Sequence, residues 1–306
     1  MIQDIEPNRL DNSFSPRNPG AGDPVLLFDD EGKLLVRARD GNIRFTTEGE
    51  ISAEGAICLF SVNDVPYFLA PRQEGIGLPG YEYRTIRELR DIGQGKELFA
   101  AFTAYHLWRW YTDNRHCGRC GGENEPHPAE RALRCRRCGQ VTYPRINPAV
   151  IVGVIRGDCL LITRYRTGYA HNALVAGFVE IGETLEQTVE REVMEETGVR
   201  VKNIRYYKSQ PWGMAQDLLT GFYCEAEEDA VIHMDPNELK YAEWVRREDI
   251  ILQPNDLSLT NEMMKRFKMG EVEGPGRVRQ AGRHRESKNG GDIGDERAFS
   301  DRQAGL

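Results

Sequence analysis

Over the first ninety residues, apolar positions recur in short runs separated by turn-forming pairs. PVLLFDDEGKLLVR, from Pro24, reads as two strands about a DDEG turn, and GAICLFSVNDVPYFLAP as a hairpin about Asn63-Asp64. The period then changes. Leu98, Phe102, Tyr105 and Trp108 fall at i, i+4, i+7 and i+10, which predicts a helix over 95–114. An aromatic stripe of this kind is the ordinary mark of core packing, and His106 within it reads as packed or exposed. Beyond residue 143, AVIVGVI and CLLITRY form a hairpin about Arg156-Gly157-Asp158, and ALVAGF follows. Further strands are expected near Lys202–Ser209, in LLTGFYCEAE and in YAEWVR, with a last helix from Leu259 to Phe267. Strands on both sides of a central helix predict a mixed α/β sandwich.

That central helix is loaded with acids. Thr184 is an N-cap, Gln187 completes a capping box, and Gly198 is a natural C-terminal stop, so the helix is expected over 185–197. At about 100° per residue, Glu192 and Glu196 share the apolar direction of Leu185, Val189 and Val193, Glu195 flanks it, and Glu186 and Glu190 face outward. A pair of adjacent glutamates is usually a solvated face. Here the outward face is already occupied, acids at i, i+3 and i+4 repel, and burying them unpaired is costly. A hard divalent cation such as Mg²⁺ or Mn²⁺ resolves both problems.

The stretch from Gly177 to Val199, GFVEIGETLEQTVEREVMEETGV, resembles the Nudix box of the Nudix hydrolases. Gly177, Glu183, Arg191, Glu192, Val193, Glu195, Glu196, Gly198 and Val199 fill its specified places. The resemblance implies a Nudix α/β/α sandwich that hydrolyses a nucleoside diphosphate linked to another moiety. It places Glu192, Glu195 and Glu196 near the catalytic metals. Arg191 and Glu183, with Gly177 and Gly198, hold the loop-helix geometry.

Seven cysteines include two CxxC pairs, Cys117/Cys120 and Cys135/Cys138. Their separation reads as one structural zinc ion held by four thiolates, with no open position for a catalytic water. Cys58, Cys159 and Cys224 lie in apolar strand contexts and read as core. Residues 113–145 hold seven arginines against four acids, which compensates the −2 of a four-thiolate zinc site or, less simply, offers an RNA docking surface. The whole chain is at −8 over 306 residues, which argues against a general nucleic-acid coat. No apolar run reaches membrane-spanning length and the N-terminus has no apolar leader core, so a cytoplasmic chain is expected. The expected division is a poorly ordered 1–24, a β-rich 25–94, a connecting helix 95–114, a zinc ribbon 115–142, a Nudix domain 143–269 and a disordered tail 270–306. The tail has eight glycines and balanced charge, too little apolar surface to fold.

A zinc ribbon, then Tyr143-Pro144-Arg145, then the box, then Ser209-Gln210-Pro211-Trp212 resembles the NADH pyrophosphatase subgroup, whose members also remove NAD caps from RNA. The likeness covers about 97–268. In that subgroup SQPW continues Pro-Phe-Pro-x-Ser; here it continues Gly213-Met214-Ala215-Gln216-Asp217, so an aromatic ring and two rigid positions are lost from the implied substrate segment, Gln210 to Asp217. The resemblance further implies that Tyr143 and Phe178 sandwich the adenine, that Glu238 and the Ala176 carbonyl join the box glutamates around two or three Mg²⁺ or Mn²⁺ ions, and that the enzyme is a homodimer. The expected reaction is hydrolysis of the pyrophosphate bond of NAD(H) to AMP and nicotinamide mononucleotide, with Glu195 or Glu196 handling the water. NAD-capped RNA is a second substrate. The rivals are a broader hydrolase of ADP-ribose or diadenosine polyphosphates, and a non-catalytic nucleotide sensor with a nucleic-acid-binding ribbon.

Overall fold

The structure is a computed structural model that describes residues 1–167 and 170–272. The expected disorder of the tail from 273 lies outside the described residues. A seven-stranded sheet is built from β1 (Leu10–Asp11), β2 (Pro24–Leu26), β3 (Leu34–Arg39), β4 (Asn42–Thr47), β5 (Ile57–Val62), β6 (Val65–Leu69) and β7 (Glu82–Arg84), in the order β1-β5-β6-β2-β4-β3-β7. Asn63 and Asp64 both adopt positive φ, 50° and 66°, the geometry that a two-residue hairpin turn demands.

Two features of this half differ from expectation. Residues 1–24 are not loose: Ile2 and Ile5 are buried, and the Ile2 N–H donates to the Leu257 carbonyl at 2.9 Å. These isoleucines, with the β1–β5 pairing and the Arg17–Ser61 hydrogen bond, anchor a segment whose Pro, Asn and Gly content suggests disorder. A short helix, α1 (Ile86–Ile92), also interrupts the β-rich region, started by a Thr85/Glu88 capping box. The next helix, α2 (Gly95–Asp113), buries Leu98 and Phe102 fully, but its fully buried tryptophan is Trp110. Tyr105 and Trp108 are half-buried and stack, with Trp108 against Phe28 at 5.1 Å.

The ribbon is a three-stranded antiparallel sheet of β8 (Asn124–Pro126), β9 (Leu133–Cys135) and β10 (Val141–Thr142). The remaining sheet comprises β11 (Asn147–Arg156), β12 (Cys159–Tyr165), β13 (Val175–Phe178), β14 (Val201–Trp212), β15 (Asp217–Ala226) and β16 (Leu239–Arg246), ordered β14-β15-β11-β12-β16 with β13 beside β11. Its β11–β15 pair is parallel and the others are antiparallel, so the sheet is mixed. Strand periodicity divides β11 between two cores. Val150, Val152 and Val154 pack with Val189 and Val193 of α3 (Leu185–Thr197), while Ile151 and Ile155 pack with Leu259, Met263 and Phe267 of α4 (Leu259–Lys268). The result is an α/β/α sandwich. Val272 is buried in the α4 core, so packing runs past residue 269.

β14 is longer than expected and carries Ser209 to Trp212 inside the strand, because pairing continues to Trp212↔Asp217. The tight turn that follows rests on α2. A Cβ at Gly213 would lie 2.1 Å from the Phe102 carbonyl oxygen, a backbone atom that cannot swing away. Gly213→Ala is therefore expected to cost about 2–3 kcal/mol through overpacking, read as a lowered urea midpoint with an unchanged slope.

Candidate active site and zinc centre

α3 begins with the Thr184/Gln187 capping box and ends at Gly198 in the left-handed region (φ 67°). Arg191 ties the loop before the helix to the helix itself. Its Nε donates to Glu183 Oε1 at 2.6 Å, Nη2 to Glu183 Oε2 and the Phe178 carbonyl, both at 2.9 Å, and Nη1 to Glu192 Oε1 at 2.7 Å and Glu195 Oε2 at 3.0 Å. Those Arg191 bonds, with the Glu180 N–H, hold the Glu183 carboxyl down at about 2. A Cβ at Gly177 would stand 1.9 Å from the Glu192 carboxyl carbon, so any larger residue there would push that carboxyl out of place.

Glu196 is 1 % exposed and has no basic partner among the described residues. The Tyr165 hydroxyl, at the end of β12, lies 3.0 and 3.2 Å from its two oxygens and accepts the Ala176 N–H at 3.0 Å. Burial is the main cause that pushes the Glu196 carboxyl up to about 8; the Tyr165 bond opposes it, and the charges of Glu192 and Glu238 add to it. Glu192 is raised too, by burial first and against the pull of Arg191. Buried, mutually repelling carboxylates of this kind fit a hard divalent cation, which prefers oxygen donors. They do not form a closed cage: among the described residues, the four cysteines are the one set of three or more such side chains converging within 4.8 Å. Glu195 is 61 % exposed and turned to Arg191. Tyr165→Phe leaves Glu196 without its donor and the Ala176 N–H unpaired. We expect kcat to fall about tenfold with KM little changed, since a hydrogen bond to a charged group contributes about 1.5–3 kcal/mol.

At the ribbon, Cys117 and Cys138 sulfurs lie 3.7 Å apart and those of Cys120 and Cys135 3.5 Å apart. Zinc–sulfur bonds of about 2.3 Å in a tetrahedron give an edge of about 3.8 Å, so the four thiolates fit one zinc ion. Three of the seven arginines of 113–145 bond within the ribbon. Arg134 pairs with Glu125 at 2.9 Å, Arg136 with Glu125 at 3.1 Å and Glu123 at 3.4 Å, and Arg137 donates to the Cys120 carbonyl at 3.3 Å.

Next to Tyr165 and Ala176 lies a recess of ≈ 280 Å³, also lined by Trp212, Met214, Ala215 and Asp217. Other members of the 210–217 segment serve the scaffold. Gln210 is fully buried, donating to Gln3 and the Leu257 carbonyl and accepting the Leu259 N–H. Gln216 accepts from Arg145 and its carbonyl takes the Asn147 N–H at 2.8 Å. Pro211 is exposed, and Gly213 contacts α2. Tyr143 and Phe178 are exposed (57 % and 51 %) and outside the recess lining; the Tyr143 hydroxyl donates to Glu130 at 3.0 Å. Arg87 and Arg90 of α1 line the recess and were missed from sequence, as was Tyr165. The capping box before α1 was a legible signal for that helix; none marked its arginines or the tyrosine as part of the recess.

The mixed α/β/α sandwich, with its glycine-tight loop clamped to an acid-bearing helix, is that of a Nudix hydrolase. The NUDIX domain family matches residues 145–267, and the NADH pyrophosphatase zinc ribbon domain family matches 113–143. The chain is 41 % identical over 177 residues to the NAD-capped RNA hydrolase NudC of Shigella flexneri, covering 57 % of this chain and 67 % of that protein, and the Escherichia coli (strain SMS-3-5) NudC gives the same figures. Among solved structures, a NUDIX hydrolase from Nitrosomonas europaea matches 51 % of this chain and 90 % of its own, with TM-score 0.45 and 20 % identity. The chain belongs to the Nudix hydrolase family, and it carries the zinc ribbon of the NADH pyrophosphatases.

Proposed function

We propose that this protein hydrolyses the pyrophosphate bond of NAD(H) to AMP and nicotinamide mononucleotide, and that it removes the NAD cap from RNA by the same reaction. The observation that carries this reading is the buried Glu196 carboxyl, raised beside Glu192 and Glu238 and hydrogen-bonded to Tyr165, which also lines the recess. The 41 % identity to NAD-capped RNA hydrolases supports the substrate class.

Glu192, Glu195, Glu196, Glu238 and the Ala176 carbonyl would hold two or three Mg²⁺ or Mn²⁺ ions. When bound, these would neutralise the diphosphate oxygens and make the attacking water more acidic. Water adds to one phosphorus, the bridging P–O bond breaks, and the leaving phosphate keeps the electron pair. Glu195 or Glu196 takes the water's proton. Arg191 keeps Glu192 and Glu195 in place throughout, and Gly177 lets β13 lie close enough to α3 for Ala176 and Glu192 to face one site. Tyr143 and Phe178 are suited to stack on adenine, since both rings are exposed.

A homodimer is also part of the proposal. Tyr143, Ile146, Phe178 and Ile181 leave large apolar side chains in solvent, Ile181 completely, which an interface would cover. We place the protein in the cytoplasm; no helix among the described residues is long and apolar enough to cross a membrane. A kcat/KM comparison over NADH, NAD⁺, NAD-capped RNA, ADP-ribose and diadenosine polyphosphate tests the reading. Preference for ADP-ribose or the polyphosphate would replace it with the broader hydrolase, which the Gly213-Met214-Ala215 departure favours. No turnover of any substrate would leave the nucleotide sensor.

A further inference from the structure

His106 joins α2 to the linker between the ribbon and β11. Its side chain is half-buried, and Nε2 lies 2.8 Å from the Arg145 carbonyl oxygen. A carbonyl only accepts, so Nε2 carries the proton. Burial is the main cause that holds the imidazole below its usual range; the hydrogen bond opposes it, and the charge of Arg145 adds to it. The ring is therefore uncharged at neutral pH, and the linker takes its N–H.

Beyond Arg145 the contacts lead to one turn. The Arg145 guanidinium donates through Nη2 to Gln216 Oε1. The Asn147 N–H donates to the Gln216 carbonyl at 2.8 Å, and Asn147 Nδ2 to the Ala215 carbonyl at 3.3 Å. Gln216 sits at φ 63°, a left-handed conformation that a residue with a side chain keeps only where its neighbours hold it. The same turn rests on α2 at Gly213, where an added Cβ would lie 2.1 Å from the Phe102 carbonyl oxygen and 3.4 Å from the His106 Cβ. Phe102 and His106 fall at i and i+4 and so share a helix face. Met214 and Ala215, inside the turn, line the recess, while His106 stands outside its lining.

We infer that His106 is a positioning residue: it fixes the linker at Arg145 and, through Arg145 and Asn147, the turn that walls the recess. The inference rests on the proposed diphosphatase activity. A ring that only fills space would leave the turn where it is when the donor is removed. A ring that positions the turn would not, and substrate would then have to order the wall as it binds. That cost weakens binding and leaves the carboxylates of α3 untouched.

The test uses His106→Phe, which keeps a ring but has no donor, and His106→Gln, whose amide nitrogen can replace the Nε2–H. In steady-state kinetics on NAD⁺ and NADH, run well below the melting temperature of each variant, H106F should raise KM about fivefold with kcat within about twofold, the scale of one neutral hydrogen bond. H106Q should bring KM back towards the wild-type value. Added to Gln216→Ala, which removes the acceptor for Arg145, H106F should have little further effect, because both changes act along one path. An unchanged KM, a fall in kcat alone, equal losses in H106F and H106Q, or full additivity with Q216A would each overturn the assignment. Hydrogen exchange read by mass spectrometry reports the same tie without turnover, and the 213–217 segment should lose protection in H106F but not in H106Q. If the wild type turns over neither dinucleotide, the proposed function itself fails, and unchanged protection in H106F would then sink the role of His106 separately. Should H106F fold poorly by thermal melting, His106→Leu provides the same comparison.

Discussion

Glu196→Gln should lower kcat by about 10²–10⁴-fold, the range for losing a general base, and should not lower the melting temperature. The reason is that the native carboxylate is paid for by the fold rather than supporting it. Glu196 is 1 % exposed, with Tyr165 as its hydrogen-bond donor. Glutamine keeps the shape, still accepts from Tyr165, and carries no charge to desolvate. The same logic fixes a pH signature. The folded carboxyl stands at about 8 against an ordinary value of 4.5, so the folded state binds more protons than the unfolded state between those values. In protein dialysed free of Mg²⁺ and Mn²⁺ but retaining zinc, stability should decline as pH rises from 4.5 to 8 and then level off. E196Q should flatten that decline, and added Mn²⁺ should restore stability to the wild type more than to the variant. A wild type whose melting temperature rises across this window would contradict the placement of Glu196 as an unpaired buried acid. Unchanged turnover in E196Q would remove it from the catalytic machinery.

How far the sequence could be read followed from the range of the forces involved. The bounds of α3 were legible at both ends, because capping by Thr184 and Gln187 and the stop at Gly198 are set by neighbouring residues. The convergence of acids with Leu185, Val189 and Val193 was legible for the same reason: helical geometry places them within a few turns. The ribbon cysteines were legible because thiolates in paired CxxC spacing have little else to do. Tyr165 was not. It meets Glu196 only because β12 and β13 both pair with β11, against which α3 packs, relations that no local pattern records. Arg87 and Arg90 line the recess from α1, far in sequence from the other residues around it. Gln210 and Gln216 lie in a motif-like segment, yet Gln210 ties down the Leu257 and Leu259 backbone and Gln216 the Arg145 side chain. Ile2 and Ile5 hold a stretch whose composition alone suggests disorder.

Replacing Cys135 by serine should unfold the ribbon and carry part of the catalytic domain with it. Cys135 is buried at the end of β9, its sulfur 3.5 Å from that of Cys120. Strands of two and three residues cannot hold a sheet together by pairing alone, and beside the cysteines the ribbon buries little more than Ala132 and Leu133. In small metal domains, zinc binding supplies about 10–16 kcal/mol of folding free energy, far more than this core provides. The ribbon leads directly through Tyr143 into β11, the central strand of the catalytic sheet, and Arg131 donates to the Asn12 carbonyl at 3.1 Å in the N-terminal half. Loss of the metal therefore reaches both neighbours. The expected result is one zinc per chain in the wild type by elemental analysis and less than a tenth of that in C135S. The variant should melt at a lower temperature and be cut by protease between residues 115 and 142. Since all four thiolates are committed, zinc offers no open position for water, and residual activity should follow the folded fraction. A C135S protein that stays fully folded while losing activity would instead give the metal a direct part in the reaction.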